Sequence, residues 1–120
     1  MMDDRTLTFK NAQEFCRLLS NQLPNLKKVK FYIYDSYDGW TWRPSRIVDG
    51  ENESTKHILN IIYCLVDHMQ QLVSLYIDFI DFPRSEKPCF HHLIRQQLHQ
   101  YPLNRPYRLR CSADSIQIWL

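Results

Sequence analysis

Glycine is nearly absent from this chain, which holds two in 120 residues. Phosphate-binding loops, dinucleotide fingerprints and nucleophile elbows need glycine where the backbone turns sharply or approaches a ligand, so almost nothing is left to build one. Charge of one sign is also lacking: 15 Lys and Arg stand against 13 Asp and Glu, a net charge of +2. That balance gives no general attraction to nucleic acid or an anionic membrane, and any such claim must rest on a local cluster. The cysteines Cys16, Cys64, Cys89 and Cys111 are scattered and form no C-x-x-C pair. They read as reduced core thiols of a cytoplasmic or nuclear protein. Long hydrophobic runs are missing too. The longest, Ile58 to Val66, is broken by Asn60 and too short for a bilayer, and the start MMDDRTLTFK lacks the apolar centre of a signal peptide. A soluble protein without a leader is expected.

What is present is enough for a core: 44% of residues are hydrophobic and 13% aromatic, in a length that suits one domain over 1–120. The organising stretch is LVDHMQQLVSLYIDFIDF, Leu65 to Phe82. It matches Leu19 to Ser36 at a constant offset of 46 residues, pairing Leu23 with Met69, Leu26 with Leu72, Val29 with Leu75, Phe31 with Ile77, Ile33 with Phe79 and Asp35 with Asp81. Apolar positions three, three, two and two apart describe a helix end that turns into a strand with alternating faces. A self-similar helix–strand unit cannot bury its apolar face without a neighbour, so the pattern predicts a stacked α/β array in leucine-rich register.

The rest of the chain fits that frame. Asn11 and Glu14 have the spacing of a capping box, and Phe15, Leu18, Leu19 and Leu23 form a helical stripe ended by Pro24 and Asn25. Leu26 to Tyr34 reads as a strand with Val29, Phe31 and Ile33 inward. Residues 35–53 read as a long aromatic loop, within which Asp38-Gly39 could alternatively close a hairpin. Ser54 is the expected N-cap of a second helix with the stripe Ile58, Ile61, Ile62, Leu65, Val66 and Met69. A strand, Leu72 to Ile80, and a third helix, with Phe90, Leu93, Ile94, Gln97 and Leu98 on one face, come next. A terminal hairpin over 107–120 sets Leu109 and Cys111 against Ile116, Ile118 and Leu120. The expected class is α/β: a short leucine-rich-repeat-like array with a mostly parallel sheet, helices on one face and a C-terminal antiparallel hairpin. The outer edge of the first strand, Leu26 to Tyr34, should be unpaired and favour self-association.

The closing segment HLIRQQLHQYPLNRPYRLRCSADSIQIWL resembles the C-terminal end of a group of F-box-domain-containing proteins with irregular leucine-rich-like repeats. The units Phe15 to Ile33 and Ile58 to Phe79 are similar to the same group. In that family an N-terminal F-box docks on the Skp1 adaptor of a cullin ubiquitin ligase, and the repeats select the protein to be marked. The resemblance implies a non-enzymatic protein-binding role. Nothing before Asn11 can hold the three short helices of an F-box, so no Skp1-type adaptor is expected here.

The candidate partner-binding residues are Lys28, Lys30, Tyr32, Tyr76, Asp78, Arg108 and Arg110 on the open sheet face, with Ser74 beside them and Gln117 and Trp119 at its edge. Trp40 and Trp42 join them from the aromatic loop. Tyr, Trp and Arg combine buried area with a polar handle and dominate protein hot spots, while an ordinary solvated sheet face is the plainer account. Asp35, Asp38, Asp78 and Asp81 fall near strand ends, where aspartates also suit turns and caps, and a rival class is a small metal-dependent hydrolase using Asp35, Asp78 and Asp81. Cys89, His91, His92 and His99 have zinc-ligand types without a second cysteine pair. Lys27, Lys28 and Lys30 with Arg105, Arg108 and Arg110 could track a phosphate backbone beside Tyr32. No cofactor, membrane or nucleic-acid partner is expected.

Overall fold

In the computed structural model, residues 2–23, 25–34, 49–80, 90–112 and 114–120 are described, with 2–13, 15, 31, 34, 53 and 54 as backbone. Along them run β1 (Met2–Thr8), α1 (Phe9–Gln22), β2 (Lys28–Tyr34), α2 (Glu53–His68), β3 (Ser74–Ile80), α3 (His91–Gln100), β4 (Arg108–Cys111) and β5 (Ser115–Trp119). The strands form one mixed sheet in the order β1-β2-β3-β5-β4. β1, β2 and β3 are parallel, and β5 runs antiparallel to both of its neighbours. The chain is therefore α/β with a mixed sheet.

Alternation decides which face is covered. Val29 and Ile33 of β2, Leu75, Ile77 and Phe79 of β3, and Ile116 and Ile118 of β5 are buried. They join one apolar cluster with Cys16 and Leu19 of α1, Ile58, Ile61, Ile62, Leu65 and Val66 of α2, and Ile94 and Leu98 of α3. Burial at this scale, about 25 cal/mol per Å² of apolar surface, is the main force holding helices to sheet. The other sheet face carries the intervening polar and aromatic residues.

The repeat in the sequence is a repeat in the backbone. The amide of Leu23 donates to the Leu19 carbonyl at 2.8 Å and that of Leu26 to Leu23 at 3.3 Å; 46 residues on, Met69 donates to Leu65 at 2.9 Å and Leu72 to Met69 at 3.0 Å. Each helix thus leaves through the same turn into its strand.

Five expectations are corrected. β1 was not foreseen, and its parallel pairing from Met2↔Lys28 to Thr8↔Tyr34 covers the edge of β2 expected to be free. α1 begins at Phe9, so Asn11 and Glu14 lie within the helix, where Glu14 pairs with Arg17 at 2.7 Å. Among its described side chains Cys16, Leu19 and Ser20 are buried, while Leu18 and, just past the helix, Leu23 are exposed. Asn52, not Ser54, caps α2: its side-chain oxygen accepts from the Thr55 amide at 2.9 Å and the Thr55 hydroxyl at 2.8 Å. The chain reaches this cap through Asp49 and Gly50, both at positive φ (55° and 76°), a turn that suits glycine. Lastly, β5 and not β4 adjoins β3, because Ile116 and Ile118 are the strand residues that fill the space beneath the helices, while Leu109 and Cys111 are only partly buried. The hairpin alternative at Asp38-Gly39 lies outside the described residues.

Candidate functional site

Register places the open-face residues in rows across the strands. One row runs Lys28, Ser74, Trp119, Arg108; the next Lys30, Tyr76, Gln117, Arg110; a third Tyr32, Asp78, Ser115. The sequence-based set on β2, β3 and β4 therefore shares one face, with a changed order. Gln117 and Trp119 stand in the middle of the rows, and Arg108 and Arg110 form the edge. The reason is the exchange of β4 and β5 described above.

At the centre of this face the Lys30 ammonium lies 5.4 Å from the Tyr32 ring centroid and 5.0 Å from that of Tyr76. A cation between two π faces holds both rings in place, each contact contributing about 0.5–1 kcal/mol at a partly exposed site. Beside it a shallow groove of about 270 Å³ is lined by Lys28, Lys30, Ser74, Tyr76 and Gln117 above Val29. Trp119 is 40% exposed on the same face.

Other sequence candidates fare differently. Trp40, Trp42, Asp35, Asp38, Asp81 and Cys89 lie outside the described residues. Asp78 is half-buried on the open face, paired in register with Tyr32 and Ser115. His91 and His92 contact each other edge to face at the start of α3, and no group of three His, Cys, Asp or Glu among the described residues could hold a metal ion. Arg105 is withdrawn from the basic series. Its guanidinium donates to the carbonyls of Val66 (3.1 Å), Met69 (3.0 Å), Gln70 (3.0 Å) and Leu72 (2.9 Å), and so closes the C-terminal end of α2. Those carbonyls have no partner within the helix, and the guanidinium is planar enough to serve several at once.

The thiols sit in different surroundings. Burial pushes the Cys16 thiol far above its ordinary range, with Cys64 nearby adding to the effect. Burial also raises Cys111, partly offset by the guanidinium of Arg95. Cys16, Cys64 and Cys111 are all free. A second hollow, of about 330 Å³, opens between α2 and α3 and is lined by Lys56, Asn60, Tyr63, Gln96 and Gln97 among others. No local pattern announces this hollow, since these residues belong to the polar faces of two helices whose mutual angle no spacing encodes. Among the described residues no helix is long and apolar enough to cross a membrane. Compared with protein-family models, curated proteins and solved structures, the chain matches none.

Proposed function

We propose that this chain is a non-enzymatic protein-interaction module whose open sheet face takes the partner, in the manner of the substrate-recognition repeats of F-box ubiquitin-ligase receptors. One observation carries the reading: the helices bury a single face of the sheet, and the other presents Lys30 braced between Tyr32 and Tyr76, with Trp119 and two arginines in the same rows. Aromatic and guanidinium groups held rigidly lose little entropy on binding, which is why such groups concentrate affinity at interfaces. The three thiols that are free among the described residues suit a reducing compartment, so the proposal places the module in the cytoplasm or nucleus. A leucine-rich-like stacking of the two helix–strand units belongs to the same proposal and rests on their shared exit turn. Contact with a Skp1-type adaptor is not part of it.

Proximity labelling followed by mass spectrometry supplies a partner, and its affinity is then measured for Tyr32→Ala and Tyr76→Ala. Each substitution should lower the thermal midpoint by only a few degrees, the loss of one cation–π contact, and weaken binding about tenfold, the scale of a hot-spot residue. Unaltered affinity in both variants would remove the open face from consideration.

A further inference from the structure

We infer that the partner segment is acidic and extended, lying across the strands with carboxylates against Lys28 and Lys30 at one end and Arg108 and Arg110 at the other. This rests on the open face being the interaction surface. Among the described side chains of that face, four cations stand against the single carboxylate of Asp78, although the whole chain carries a net charge of only +2. The charge is also ordered: the two rows that begin with Lys28 and Lys30 on β2 end with Arg108 and Arg110 on β4, and between them lie Ser74, Tyr76, Gln117 and Trp119. β1 lies beyond the lysines and puts Asp4 at the register position of Lys30, so the cationic strip starts at β2.

Geometry sets the spacing. Three inter-strand steps separate β2 from β4, about 14 Å at the usual strand separation. An extended chain covers about 3.3 Å per residue, so four residues bridge the strip. Residues i, i+2 and i+4 of such a segment share one face. Carboxylates at i and i+4 would meet the lysines and the arginines, with i+2 over Tyr76 and Gln117, and the groove beside Lys28, Lys30 and Ser74 receives the first of them.

Single-stranded nucleic acid is the competing polyanion, and the face suits it less well. Base stacking needs open ring faces, whereas one ammonium already lies against both Tyr32 and Tyr76. Arg105 is committed to the end of α2 and adds nothing to a phosphate track.

The test is fluorescence anisotropy with a labelled octapeptide of alternating Glu and Ser, its counterpart with Gln for Glu, and an octamer of deoxythymidine. The acidic peptide should bind at least about tenfold more tightly than the Gln peptide and weaken about tenfold as salt rises, since exposed charge pairs are screened. Lys30→Gln and Arg110→Gln should each weaken it about three- to tenfold, Lys30→Arg should restore most of the loss, and circular dichroism should report the fold unchanged. Equal binding of both peptides, each weakened by the face variants, overturns the acidic partner and leaves the interaction face standing. Acidic-peptide binding that ignores both face variants overturns the inference together with the face. Tighter binding of the deoxythymidine octamer, or no binding of either peptide, overturns the inference.

Discussion

At positions 46 residues apart, Leu23 is 45% exposed and Met69 is fully covered, although both end a helix through the same pair of backbone hydrogen bonds. The contrast extends along the two units. Among the described side chains, α2 buries Ile58, Leu59, Ile61, Ile62, Leu65 and Val66, whereas the part of α1 from Arg17 to Gln22 buries Leu19 and Ser20 and leaves Leu18 in solvent. Local pattern fixes the turn, and neighbours fix the burial: α2 packs against both α1 and α3, while α1 lies over β1 and β2 toward the end of the sheet. The first unit should therefore hold less of the stability than the second.

The largest effect expected from that difference is at Leu65 and its counterpart Leu19. Removing a fully covered leucine leaves a cavity in addition to the lost transfer energy, so Leu65→Ala should cost about 3–4 kcal/mol. Leu19→Ala, at a slightly exposed position of the helix toward the end of the sheet, should cost about half as much. Chemical denaturation of both variants compares the units directly. Equal losses would show that α1 is as tightly held as α2.

A smaller but more specific effect is expected at the end of α2. Arg105 places a positive charge at the negative end of the helix dipole and donates to part-buried carbonyls there, with the exposed Gln70 carbonyl beside them. Arg105→Ala should cost about 2–3 kcal/mol, discounted from the sum of four bonds because the side chain is partly exposed. Arg105→Lys should recover less than half, since an ammonium cannot reach the same set in one plane. Full recovery by lysine would mean that charge alone closes the helix.

The legible parts of this fold are those with an unbroken period. β2 and β3 alternate cleanly, and α2 keeps its apolar stripe from Ile58 to Met69, about three turns, so their type, face and succession could be read. β1 could not, because MDDRTLT has one internal apolar residue, Leu7, and its strand is formed by pairing with β2 rather than by local preference. The order of β4 and β5 was hidden for a related reason. Alternation states which side of a strand is buried and is silent on which strand stands beside it. The β-branched pair Ile116 and Ile118, against Leu109 and Cys111, was the available signal for the inner position. Arg105 was legible only as charge. Its partners lie 33 to 39 residues earlier, and no local spacing connects them. For the candidate site, the open-face members on β2 and β3 followed from alternation, whereas their rows and the clasp of Lys30 between two rings depend on register.

The smallest expected effect is also the finest measure of the difference between the units. Cys16 is completely covered within α1, and its thiol stays protonated because burial opposes the thiolate. Alkylating reagents attack the thiolate, so Cys16 can react only when α1 lifts. In a background with serine at positions 64, 89 and 111, its labelling rate reports that opening. Because α1 lies toward the end of the sheet and leaves Leu18 and, just beyond it, Leu23 exposed, it should open without the rest of the chain, giving labelling with a weaker denaturant dependence than global unfolding. Raising pH should ease the same opening. A thiol whose folded pKa is raised contributes stability that is present below its unfolded value, near about 8.5, and is lost as pH climbs beyond it. Labelling measured from pH 7 to 9.5 should therefore accelerate more than the thiolate fraction of an unfolded control. Labelling with the full denaturant dependence of global unfolding would show that α1 and α2 open as one, and that the exposed Leu18 and Leu23 mark no weakness.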